Sequence, residues 1–181
     1  MDKPMPDFMF RGMSFVFKCR DMLRPRERIL EEVDIKSGYQ VLDFGCGPGS
    51  YTKVVAKLVG EDGRVYAQDI HPLAAKRLRQ LASSMGLGNV ETICSGGPTG
   101  LPDGTVDVVL LYDIFHMLSE PEAVLAELHR VMKPNGVLSF SDHHMKEGDI
   151  VQGVTATGLF ELSRKGKHTF SFTKRSSPAP V

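Results

Sequence analysis

Short, almost wholly apolar runs alternate along this chain with longer stretches whose apolar residues recur every three or four positions. The runs that begin at Val41 and cover Val106–Tyr112 have the apolar character of strands buried on both faces of a parallel sheet, and Arg64–Asp69, Val90–Cys94 and Val137–Ser141 read as further strands. Between them, three sets of residues define helical faces turned toward that sheet: Val54, Val55, Leu58 and Val59; Ala74, Leu78, Leu81, Ala82 and Met85; Val124, Leu125, Leu128, Val131 and Met132. Boundary residues support the same division. Ser50 or Thr52 caps the first helix and Gly60 stops it; Pro72 opens the second and Gly86 closes it. The third carries a capping box, Ser119 with Glu122, and Pro121 in its first turn, and ends at Lys133-Pro134-Asn135-Gly136. The segment from Ser95 to Gly104 holds too many glycines and prolines for a helix and reads as a loop.

The two ends depart from this alternation. Residues 4–23 are rich in Met and Phe, with Met5, Met9 and Met13 four apart, and Gly12 weakens a continuous helix there. Two readings fit: a segment packed on the edge of the domain, or a lid of soft side chains that closes over a ligand. Pro25 then opens a helix with Ile29, Leu30 and Val33 inside, ending near Gly38. Beyond Asp142 comes a short helix around Glu147–Val154. Two period-two runs follow, Leu159–Ser163 and Thr169–Thr173, joined as a hairpin by Arg164-Lys165-Gly166-Lys167. Five strand–helix units closed by a hairpin make an α/β fold with a mostly parallel sheet and a late antiparallel strand. One domain over residues 1–174 is expected, with 1–23 as the candidate lid and 175–181 as a disordered tail.

Composition narrows the function classes. The 181 residues carry 22 basic and 22 acidic side chains, so nothing favours a polyanionic partner such as nucleic acid. Cys19, Cys46 and Cys94 are too few and too widely spaced for a disulfide framework or a zinc site, are read as buried, and fit a reducing cytoplasm. No signal peptide is evident, and no uncharged run reaches the roughly 20 residues of a membrane span. No metal site is expected, and the oligomeric state is not legible.

The candidate chemistry centres on Asp43-x-Gly45-x-Gly47-x-Gly49-Ser50, at the junction of the first strand with its helix. A strand–glycine turn–helix presents backbone N–H groups and a helix N-terminus to a ligand, with glycines where a Cβ would block the turn or the approach. The dinucleotide fingerprint GxGxxG requires a third glycine where Ser50 stands, and Asp43 would repel dinucleotide phosphates. The same carboxylate suits an ammonium or a sulfonium. Asp69 ends the second strand twenty residues past Gly49, the place from which an acidic side chain reaches ribose hydroxyls, although it does not by itself distinguish nicotinamide from adenosylmethionine.

These landmarks, together with Leu101-Pro102-Asp103…Asp107-Val108-Val109 and Glu127-Leu128-x-Arg130-Val131-x-Lys133-Pro134-x-Gly136, resemble the class I S-adenosylmethionine-dependent methyltransferases, closest to the ubiquinone/menaquinone-type and other small-molecule methyltransferases. The resemblance implies a Rossmann-like seven-stranded sheet of order 3-2-1-4-5-7-6 with an antiparallel C-terminal hairpin. It implies S-adenosyl-L-methionine as cofactor and a small molecule as methyl acceptor. For cofactor binding it implies Asp43, Gly45, Cys46, Gly47, Gly49, Tyr51, Asp69, Ile70, Ser95, Gly96 and Asp113. One departure is plain: Ser95-Gly96-Gly97 stands where the family commonly has an acidic residue for the adenine amino group, leaving Ser95, backbone or water to make that contact.

A hydroxyl acceptor needs a base, and His116, after the fourth strand, and His143 and His144, after the fifth, are the candidates. A structural histidine capping a turn fits His116 equally well. Tyr112-Asp113-Ile114-Phe115 lacks the Asn/Asp-Pro-Pro-aromatic motif, which argues against amino-methylation of nucleic-acid bases. Two other functions remain open: an NAD(P)-dependent oxidoreductase and a non-catalytic S-adenosylmethionine-binding protein.

Overall fold

Residues 3–23 and 26–175 are described by the structure, a computed structural model. A long helix, α1 (Asp7–Leu23), and a single turn, α2 (Glu27–Leu30), come before the sheet. Then β1 (Gln40–Phe44), α3 (Thr52–Val59), β2 (Arg64–Asp69), α4 (Pro72–Met85) and β3 (Val90–Cys94) follow in turn. The second half holds β4 (Val106–Tyr112), a 3-10 turn at Phe115–Met117, α5 (Pro121–Val131), β5 (Met132–Ser141), α6 (Glu147–Thr155), β6 (Phe160–Lys165) and β7 (Phe170–Lys174). The strands form one sheet in the order β3-β2-β1-β4-β5-β7-β6, as the resemblance implied. The first five run parallel and the β5–β7 and β6–β7 pairs are antiparallel.

The apolar runs are central strands for a simple reason: both of their faces are covered. Val41, Val108, Leu110 and Tyr112 pack with α3, Leu30 and Val33 on one side. Leu42, Phe44, Val109 and Leu111 pack with α5, Phe115 and Phe140 on the other. Asp107 interrupts β4, yet its carboxylate accepts the Gln40 N–H at 2.8 Å and the Lys133 ammonium at 2.7 Å, which ties β1, β4 and β5 together. At the outer edge, β6 exposes Glu161, Arg164 and Lys165, charges that discourage pairing with another chain.

Several sequence expectations change. α1 runs unbroken through Gly12, which faces open space; the cost of a mid-helix glycine, about 1 kcal/mol, is outweighed by burying Phe10. The helix expected to end near Gly38 is only α2 followed by turns, and Pro25 and residues 176–181 lie outside the described residues. Neither Ser50 nor Thr52 caps α3: Tyr51 holds the N-cap position without a side-chain cap, because the Thr52 hydroxyl is spent on Asp43. Leu58 and Met85 are exposed, and Ala56 and Ala75 take the inner positions nearer the sheet. Pro121 at the first helical position makes Glu120, not Ser119, the N-cap of α5. Met132 belongs to β5, not α5: it pairs with Val106, and residues 133–136 form the irregularity before Val137 pairs with Val108. The hairpin strands extend to Lys165 and start again at Phe170, so the turn lies later than expected. Cys19 and Cys94 are exposed; of the three thiols only Cys46 is buried.

The α3–β2 turn supplies a stability test. A Cβ at Gly63 would lie 2.5 Å from Val59 Cβ, 2.7 Å from the Val59 carbonyl oxygen and 2.8 Å from the Tyr39 carbonyl oxygen. Two of these neighbours are backbone and cannot rotate away. Gly63→Ala is therefore expected to destabilise the fold by roughly 1–3 kcal/mol in chemical denaturation, the usual range for overpacking. Gly88→Ala, where a Cβ meets nothing within 4 Å, serves as the control and is expected to shift the midpoint little. Equal midpoints for the two variants would show that the turn yields.

Candidate functional site

A cavity of about 350 Å³ opens at the C-terminal ends of β1, β2, β4 and β5. This is the crevice where strand order reverses, between β1 and β4, and where open parallel sheets place their ligands. The glycine loop forms its floor. Gly45 N–H and Cys46 N–H both donate to the Gln68 carbonyl, at 2.8 and 2.9 Å, which pins the loop to β2. Gly47 has a φ of 52° and empty space where a Cβ would stand, on the cavity wall. Gly49 does not line the cavity. Its φ is 89° and a Cβ there would overlap Leu78 Cδ2, so this glycine allows α4 to approach the loop.

Two carboxylates flank the floor, Asp43 buried and Asp69 half-buried. Asp43 accepts the Thr52 hydroxyl at 2.6 Å; burial pushes its carboxyl up to about 6, against that hydrogen bond and with the added repulsion of Asp69. Asp69 accepts Gly47 N–H and His71 N–H, one on each oxygen and both at 2.8 Å. Burial nonetheless leaves its carboxyl above the usual range. Each oxygen keeps a lone pair for another donor. Two acidic groups with no cation bonded to either make a site that favours a positively charged or donor-rich ligand. Burial also pushes the Cys46 thiol well up, so the thiol stays protonated and the residue contributes its backbone.

Ile70, Ser95 and Gly96 line the next stretch of wall. The departure after β3 acquires a structural counterpart here. Gln68, fully buried on β2, donates its side-chain amide to the Ser95 and Gly97 carbonyls at 3.2 and 3.0 Å, and Ser95 Oγ accepts Gly97 N–H. The glycine segment thus has a fixed shape without an acidic residue. Sequence reasoning passed over Gln68 because a buried glutamine inside an apolar strand carries no pattern of its own.

The far wall is a cluster of histidines. Asp113, with a φ of 54°, follows β4, and the 3-10 turn after it delivers His116. Asp142, His143 and His144 follow β5. His116 Nδ1 lies 2.8 and 3.0 Å from the two Asp142 oxygens, and Asp142 also accepts the His116 and His144 backbone N–H groups. A carboxylate only accepts, so Nδ1 carries the proton and Nε2 of the neutral ring keeps its lone pair. His143 Nδ1 is 2.7 Å from Asp113 Oδ1, and the His144 ring stacks between the other two at 4.4 and 3.9 Å. His143 is mostly exposed, whereas His116 is half-buried over a fully buried carboxylate. Among the described residues no group of three or more His, Cys, Asp or Glu is arranged to hold a metal. Asp142 was missed in the sequence, although an acidic residue at the end of an apolar parallel strand is the very signal that marked Asp69.

α1 closes the cavity with Phe10, Met13, Phe17 and Arg20. Tyr51, which also lines the cavity, meets Tyr112 edge-on at 4.7 Å and receives a hydrogen bond from buried Arg26. His71 fastens the covering segment to β2. Its Nδ1 accepts Leu73 N–H, so Nε2 donates to the Met5 carbonyl at 2.9 Å, and its ring lies 4.3 Å from that of Phe10.

Comparison with known proteins gives a consistent result. Residues 42–140 match the family described as Methyltransferase domain. The chain is 31% identical over 126 residues to a demethylmenaquinone methyltransferase of Geobacillus kaustophilus, covering 69% of this chain and 54% of that protein. It is 30% identical over 140 residues to a ubiquinone/menaquinone biosynthesis C-methyltransferase of Burkholderia multivorans, covering 76% and 54%. The chain thus spans about half the length of these curated relatives. A solved structure of a SAM-dependent methyltransferase from Aquifex aeolicus is similar over 94% of this chain and 98% of its own, at 29% identity and a TM-score of 0.80.

Proposed function

This chain belongs to the methyltransferase-domain family, and from that premise we propose that it transfers a methyl group from S-adenosyl-L-methionine to a small apolar or aromatic acceptor. The observation that carries the reading is the pair of carboxylates, Asp43 buried and Asp69 half-buried, around a glycine floor that shares one cavity with His116.

The residues present fit that cofactor. Asp43 offers negative charge to its ammonium and sulfonium, the free lone pairs of Asp69 suit ribose hydroxyls, and the open space at Gly47 admits close approach of the ligand to backbone. Gly45, Cys46, Tyr51 and Asp113 complete the walls, and Ile70, Ser95 and Gly96 are assigned to the adenine side. Gly49 acts indirectly, by seating α4. When bound, the cofactor would supply an electrophilic methyl group on its sulfonium for displacement by the acceptor.

This chain's own work is alignment, dryness and the acceptor's proton. His116 Nε2 takes that proton, while Asp142 holds the ring in the tautomer that leaves Nε2 basic. We assign His143, mostly exposed and paired with Asp113, to pass the proton outward. Phe10, Met13, Phe17, Ile114, Met117 and Leu118 surround the remaining space, which suits a flat or aliphatic acceptor. A hydroquinone or phenol has both an apolar ring and an acidic proton, and it is the class we assign, in keeping with the quinone-pathway names of the relatives. No helix among the described residues is long and apolar enough to cross a membrane, and unpaired thiols suit a reducing compartment, so we assign the protein to the cytoplasm.

Thermal-shift titration tests the cofactor. S-adenosylhomocysteine at a hundred times its Kd is expected to add about 2.7 kcal/mol of apparent stability, while NAD and NADP add none. Stabilisation by a dinucleotide alone would replace this reading with an oxidoreductase. Release of S-adenosylhomocysteine in the presence of hydroquinones and phenols then tests turnover; binding without release for any acceptor would mark a non-catalytic binding protein.

A further inference from the structure

α1 is built inside out for a helix on a water-soluble surface. Ser14 is buried, whereas Phe8, Phe15, Met22 and Leu23 are 75%, 69%, 78% and 85% exposed. Met9 and Val16 are exposed as well, so six of the ten large hydrophobic residues exposed among the described residues lie on this one helix. Their spacing explains why they form one surface. Positions 8, 15 and 22 and positions 9, 16 and 23 repeat every seven residues, two helical turns, on the side away from Phe10, Ser14 and Phe17. Gly12 and Cys19, also exposed, complete the strip without a polar side chain in it. Isolated exposed hydrophobics need no explanation, but a contiguous strip does.

We propose that this face of α1 docks on the surface of a bilayer containing anionic lipids, the helix lying in the interface. Charge decides between this occupant and a second copy of the chain. The first 28 residues hold seven Lys and Arg against four Asp and Glu, a net of +3, while the other residues hold fifteen against eighteen, a net of −3. Joining two copies through α1 would bring two such positive segments together; an anionic bilayer complements each of them. Exposed Arg11 borders the apolar strip, the arrangement of interfacial helices with basic flanks and Phe or Leu on the immersed face. The opposite side of the same helix carries Met13, Phe17 and Arg20 on the cavity wall. Docking therefore brings the helix that covers the cavity to the lipid surface. The docking itself stands apart from the catalytic reading; only delivery of an apolar acceptor from the bilayer rests on it.

Flotation of the full chain with large unilamellar vesicles tests this directly. The chain is expected to float with vesicles of phosphatidylcholine containing about 30% phosphatidylglycerol, to release as salt rises, and to bind pure phosphatidylcholine far less. Phe15→Ser combined with Met22→Ser is expected to lower the partition coefficient at least roughly tenfold. Arg11→Glu is expected to weaken binding by a similar factor, on the anionic vesicles only. Circular dichroism melts that match the parent show that the variants fold. Failure of the parent to float on anionic vesicles overturns the proposal. So does self-association in sedimentation velocity that the double variant abolishes while flotation is absent, since a second copy then covers the face.

Discussion

Turnover in a His116→Ala variant is expected to fall about 10²–10⁴-fold, the range for losing a positioned general base. Binding of S-adenosylhomocysteine is expected to stay at the parent level, because His116 follows β4, in the part of the cavity proposed for the acceptor, whereas Asp43 and Asp69 lie at the ends of β1 and β2. The reason is geometric. Asp142, fully buried, holds His116 Nδ1 at 2.8 Å and fixes the proton there, so the ring has one basic nitrogen left. Asp142→Asn keeps the shape but removes the charge that stabilises the imidazolium, and retains only one of the two oxygens, Oδ2 and Oδ1, that accept the backbone N–H groups of His116 and His144; a loss of about 10–100-fold is expected for such a supporting partner. In both variants the decline in rate on the acid side of the pH profile, which follows protonation of the base, is expected to vanish or move. A purely structural role for His116 would lower stability and leave the pH profile where it was. Parent-like turnover in His116→Ala would remove the histidine from the chemistry.

Loss of Asp69 is expected to have the largest effect on cofactor binding. Asp69→Ala removes the acceptor proposed for the ribose hydroxyls and also leaves Gly47 N–H and His71 N–H without their partner. A charge-assisted hydrogen bond is worth roughly 1.5–3 kcal/mol, and the loosened loop adds to that, so calorimetric affinity for S-adenosylhomocysteine is expected to fall more than about a hundredfold. Unaltered affinity would take Asp69 out of the site.

The ligand-free protein is expected to respond in the opposite sense. The carboxyls of both Asp43 and Asp69 stand above their ordinary values because burial disfavours the charged form. An acid whose folded pKa is raised binds its proton more tightly when folded, so its contribution to stability falls as pH rises from its unfolded pKa through its folded one. For Asp43 that window runs from 3.8 to about 6. At neutral pH the two carboxylates are therefore a strain on the empty fold, and Asp69→Asn is expected to match or exceed the parent in stability while binding ligand more weakly. A drop in stability for Asp69→Asn would mean that its two backbone hydrogen bonds outweigh its desolvation.

The sequence by itself determined the sheet, the helices that cover it and half of the residues that line the candidate site. Parallel strands buried on both faces must be apolar throughout, so Val106–Tyr112 announced itself, and β2 and β3 fall where their runs begin and end. Pro72 and Gly86 act locally, through a missing N–H and a left-handed φ of 66°, so the ends of α4 are legible residue by residue. Asp43 and Asp69 were legible because strand ends and glycine turns have fixed places in such a sheet.

What the tertiary structure decided depends on neighbours distant in sequence. Asp142 and His116 stand 26 positions apart and meet only because β5 lies beside β4, bringing the loops after the two strands together. The caps of α3 and α5 moved because Thr52 found a stronger partner in Asp43 and Pro121 set its own helix start. β5 begins at Met132 because Val106 offered it a pairing edge that no helical pattern could foretell. The direction of α1 was likewise hidden. Met and Phe surround the whole helix, and periodicity cannot choose a buried face when both faces are apolar. Contact with His71 turned Phe10 inward, and the rest of the apolar surface was left to face outward.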